Sequence, residues 1–126
     1  MNILSIHWTL VAAIWYFANG VLHDIFVITQ HKSKYDRELL RLLMDGHVLI
    51  FSGLILMVCY IMLLNKIQHG AWISLIVALG MLVYCGMIFP FLKSYGTMLI
   101  SLILVVVSIK VIIEYPSIFE FIKTNR

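Results

Sequence analysis

The sequence predicts an all-α integral membrane protein, an up-down bundle of four transmembrane helices. Three observations carry this expectation. The chain is 63% hydrophobic and only 12% charged, where a soluble domain averages roughly 45–50% apolar and about 25% charged. Its mean hydropathy is +1.03. The apolar residues are gathered into four runs, each near the roughly 20 residues that a helix needs to cross the hydrocarbon.

The first run covers residues 3–28. No Lys or Arg precedes Lys32, and the run carries Trp8, Trp15 and Tyr16, so it reads as a retained membrane helix rather than a signal peptide. The second run, 42–64, is preceded by a polar helical turn beginning at Asp36. The third is 71–92, with Pro90 expected to kink or end it. The fourth is 96–115, ended by Pro116, and the tail 116–126 is expected to lie on the membrane surface. Short links make neighbouring helices antiparallel. The runs are continuous rather than alternating, which excludes a transmembrane barrel. All 126 residues thus read as one domain.

The net charge is +3, and the basic residues stand at the ends of apolar runs, as snorkelling side chains do. Nucleic-acid binding is therefore not expected. Lys32, Lys34, Arg37 and Arg41 cluster in and after the first link. The positive-inside rule places that link in the cytoplasm and both termini on the non-cytoplasmic side. Cys59 and Cys85 lie inside apolar runs, which offers neither a disulfide framework nor a CxxC motif.

A helical wheel sorts the polar residues. Ser5, Thr9, Ala12, Ala13, Tyr16, Asn19, Gly20, His23 and Asp24 form one stripe on the first helix. Glu38, Arg41, Asp45, Gly46, Ser52, Gly53, Cys59 and Tyr60 form another on the second. Small and polar residues in membrane helices face other helices, so the two stripes should meet. Folding the hairpin about residues 34–35 sets residue 23 beside 46, and residue 24 beside 45. Weaker stripes run through Ser74, Ala78, Met81, Tyr84 and Cys85, and through Thr97, Ser101, Leu104 and Ser108. Lys110 and Glu114 have the spacing of an i, i+4 pair.

The candidate site is where these stripes converge. His23 and Asp45 are expected as a proton-sensitive pair, with Asp24, Asn19, Tyr16 and Ser52 lining a pocket near the cytoplasmic side. Ionisable groups within a membrane are costly and mark function by default. The plainer alternative has Asp45 paired with Arg41 one turn back, and His23 and Asp24 solvated at the mouth of the bundle. His47 lies about 200° round the helix from Asp45. It is expected to turn away from the stripe, toward lipid headgroups, the far side of the bundle or a partner chain.

No cofactor is expected. Haem held by two imidazoles needs them at one height and on one face, and His23 and His47 meet only the first condition. His7 lies near the other end, and His31 and His69 are in links. A metal ion would draw on His23 and Asp45, without any HxxxH or HxxE spacing to support it. The glutamate-centred pattern of small multidrug transporters is absent. So are the glycine- and threonine-rich signature of fluoride channels and the acidic run of CDP-alcohol transferases. In size and span count the chain resembles DoxX-like four-span proteins, a likeness that carries no residue over. The expected function is binding or transport of a small molecule or lipid. A structural or accessory subunit of a membrane complex is the alternative. A haem- or metal-binding or lipid-modifying enzyme is the second alternative, and the balance leans away from enzymatic activity.

Overall fold

A computed structural model describes residues 3–32 and 34–114. The described residues form four helices: α1 (Ile3–Gln30), α2 (Arg37–Leu64), α3 (His69–Ile88) and α4 (Tyr95–Glu114). Each is long and apolar enough to cross a membrane. The expected surface tail, together with Tyr115 and Pro116, lies outside the described residues.

Local chemistry sets the helix ends. Asp36 is in extended conformation and its Oδ1 accepts the Leu39 N–H at 2.8 Å, an N-cap. The expected polar turn is therefore the first turn of α2 itself. At the other end of α2, Ile67 N–H bonds Met62 O and Lys66 N–H bonds Leu63 O, the paired bonds of a Schellman cap. Lys66 occupies the left-handed position with φ of 60°, which glycine fills without a Cβ penalty. α3 ends at Ile88, short of the expected residue 92. Pro90 has no N–H to offer and disfavours helix at the residue before it.

Packing joins α1 to α2, α2 to α3, α3 to α4, and α4 back to α1. Along α1 and α2, Gly20 meets Gly46 and Ala13 meets Gly53, while His7 meets Tyr60 nearer the other end. The partner number rises as the first falls, so the pair is antiparallel. Ala78 clusters with Leu104 and Ala71 with Val111, which makes α3 and α4 antiparallel too. Ser52 reaches Met81 between α2 and α3, and Tyr16 reaches Ser101 between α1 and α4.

The hairpin register is close to the expected one: Gly46 packs between Gly20 and Asp24, and Gly53 between Ala13 and Phe17. The approach is tight: a Cβ on Gly20 would come within 2.6 Å of Gly46 O, and one on Gly53 within 2.7 Å of Ala13 O. The backbones touch at these notches, so the glycines hold the register that the short link permits.

Buried residues follow the predicted stripes. In α1 they include Ser5, Thr9, Ala12, Ala13, Tyr16, Gly20 and Asp24; in α4 they are Thr97, Ser101, Leu104, Ser108 and Val111. The outward faces carry large apolar side chains such as Phe26, Phe51, Ile76 and Val106. An apolar surface this continuous is the mark of a membrane or a protein interface.

Candidate functional site

The seam between the helices differs along its length. Its middle is closed. Tyr16 is fully buried and its hydroxyl lies 2.5 Å from Ser101 Oγ. Ser101 Oγ donates its own proton to Thr97 O at 2.7 Å, so the Tyr16 hydroxyl is the donor to Ser101. Ser52 Oγ donates to Met81 Sδ at 3.4 Å. Asn19 Nδ2 donates to Trp15 O on its own helix at 2.8 Å. Of the six expected site residues, Tyr16 is therefore a core residue and Asn19 is engaged locally. Ser52 bridges toward α3 and borders an outer groove.

The end of the bundle that holds the first link is open. A cavity of about 540 Å³ is lined there by His23, Arg41, Asp45, Tyr84, Cys85, Thr97 and several apolar residues, among them Leu49, Met87 and Phe91. His23 and Asp45 share this cavity. Tyr84 donates a long 3.5 Å hydrogen bond to Asp45 O. Arg41 enters the same cavity, and among the described residues no ion pair within 4 Å joins it to Asp45, contrary to the plainer expectation. Trp15 Nε1 donates to Thr97 Oγ1 at 3.4 Å and thereby fixes the floor.

Two further contacts at this end belong to Asp24. Its residue is 9% exposed, and its carboxylate lies between two histidines. Asp24 Oδ2 is 3.0 Å from His47 Nδ1, and Asp24 Oδ1 is 3.6 Å from His23 Nδ1. This corrects the expectation that His47 turns away from the α1 stripe. The wheel angle is right, but Gly46 next to it has no side chain. A Cβ there would overlap Asp24 Oδ1. The carboxylate occupies that notch, and the flanking imidazole reaches over it. The signal in the sequence was a glycine beside a histidine, opposite an acid on the neighbouring helix.

His47 Nδ1 also lies 2.8 Å from Leu43 O. Both of its neighbours are acceptors, so Nδ1 must carry the proton. His47 keeps about half of its side chain exposed, at 54%. It borders a groove of about 700 Å³ along α2, lined mainly by Leu43, Met44, Val48, Phe51 and Ile55 and bounded by Tyr35. His23 Nδ1 and Asp24 Oδ1 are both buried without a hydrogen-bond partner. One proton between them would satisfy both.

Elsewhere, His7 Nδ1 lies 3.2 Å from Tyr60 OH at the opposite end. Lys110 and Glu114 form the expected i, i+4 pair at 3.7 Å on the exterior. Among the described residues, no three His, Cys, Asp or Glu side chains gather as a metal-holding group. The His23, Asp24 and His47 atoms face one another rather than a common centre. What the site can do chemically is hold a proton and hydrogen-bond a polar group inside a largely apolar cavity. Comparison with family models, with curated proteins and with solved structures finds no match to this chain.

Proposed function

We propose that this chain is a multi-pass membrane protein that binds a small molecule or lipid by a polar group, in the cavity at the first-link end of its bundle. The observation that carries this reading is the cavity itself. At about 540 Å³ it falls within the range of small-ligand sites, and His23, Arg41, Asp45 and Tyr84 converge on it amid apolar walls. Binding is the core of the proposal, and transport is its extension. The proposed orientation keeps the first link, and so the cavity, at the cytoplasmic face.

Native mass spectrometry of the chain released from mild detergent tests the reading. The expected result is a non-covalent adduct on the wild-type chain. Leu49→Trp, which fills the cavity from α2, should remove it while extraction yield and helix content hold. A wild-type chain without adduct, or an adduct retained by the filled variant, overturns the reading. The closed middle of the seam favours a second one, a structural subunit held together by the Tyr16–Ser101–Thr97 bonds. That subunit would present its His47 face to a companion chain and carry no adduct.

A further inference from the structure

We propose that His23, Asp24 and His47 form one proton-binding unit, in which a single buried carboxylate serves two imidazoles that border different spaces. His23 lines the inner cavity and His47 the groove outside α2. The unit reaches beyond the ligand reading and does not depend on it, so the two tests fail separately.

The argument starts from the orphaned atoms. A carboxylate in an apolar setting needs compensation, and the structure sets Asp24 Oδ2 3.0 Å from His47 Nδ1, a contact within ion-pair distance. Its Oδ1 faces His23 Nδ1 at 3.6 Å, both atoms buried and otherwise unpartnered. With each Nδ1 protonated and Asp24 ionised, the unit carries one negative charge. One further proton, added at Nε2 of either imidazole, makes it neutral. A second would leave two imidazolium groups sharing one carboxylate across a few ångströms, where like charges disfavour each other. The geometry therefore offers one carboxylate to a proton on either ring. No electron moves, and the proton comes from water or from a bound acid.

The consequence is linkage between the two spaces. A group that stabilises imidazolium His23 draws the proton away from His47, and the reverse holds. The other ionisable groups on the His23 side are Arg41 and Asp45 from α2 and Tyr84 and Cys85 from α3, while α4 brings the neutral Thr97. On the His47 side Tyr35 borders the groove. A ligand in either space thus reads the protonation of the other without touching it.

The test is ring-nitrogen NMR of the full chain, labelled with ¹⁵N-histidine, in lipid nanodiscs across pH. Neutral His47 should show its proton on Nδ1. His23 and His47 should titrate as a coupled pair, each ring's curve carrying the step of the other. His23→Gln should turn the His47 curve into a single step, and His47→Gln should do the same to His23. Asp24→Asn should uncouple the pair. Should that variant fail to fold, the two glutamine variants still decide, because His47 is half exposed and His23 borders a cavity. A His47 curve that His23→Gln leaves unchanged overturns the proposal, as does neutral His47 protonated on Nε2.

Discussion

Tyr16 shows how one residue type holds two meanings. From the sequence it belonged to a polar stripe and so to a pocket. The structure places it at 0% exposure, donating to Ser101. A wheel reports direction but not depth, and the same face serves the open end and the closed middle. Tyr16→Phe removes one buried hydrogen bond and leaves the Ser101–Thr97 bond intact. Bonds between membrane helices are worth roughly 0.6 kcal/mol on average, with a maximum of about 1.7. The expected loss is about 1 kcal/mol by denaturant unfolding in detergent, with the ligand adduct unchanged. An adduct lost at full stability would return Tyr16 to the site. Asp24 and His47 carry the opposite lesson, since their contact depended on the side chain that Gly46 lacks.

At the scale of elements, the faces and the approximate hairpin register were legible, and the atoms that meet at the glycine notches were not. The α4 line of Thr97, Ser101, Leu104 and Ser108 is buried throughout, because a 100° step per residue is set by backbone geometry alone. The fine contact between helices lies at glycines, and what fills each notch only a second helix reveals. Gly53 is the sharpest case: a Cβ there would come within 2.7 Å of both Ala13 O and Phe17 N, which are backbone atoms and cannot swing aside. Gly53→Ala must push α1 and α2 apart. Overpacking of this kind costs about 1–3 kcal/mol, read as a lower unfolding midpoint in detergent. Gly80→Ala is the control, since nothing lies within 4 Å of its Cβ position and a helical alanine is favoured there by up to about 1 kcal/mol. Equal losses at both positions would mean that helix packing does not rest on the Gly53 notch.

For the whole molecule, the alternation of four helices puts the two outer links, with Lys32, Lys34 and Lys93, at the same end as Arg37 and Arg41. Lys66 and Lys110 stand at the other. Lys123 and Arg126 follow α4 in the sequence, so the proposed cytoplasmic position of the cavity end rests on the basic cluster around the first link rather than on the overall count. Single-cysteine accessibility tests it on the intact chain, because the native Cys59 and Cys85 are buried and give little background. In right-side-out vesicles, a membrane-impermeant maleimide should label Ile67→Cys at once. Lys32→Cys and Lys93→Cys should react only after the membrane is opened. The reverse pattern would turn cavity and proton unit toward the outside, where His23 and His47 would answer to external rather than cytoplasmic pH. Labelling of all three from one side would break the four-span topology itself, and with it the antiparallel register that brings Asp24 to His47.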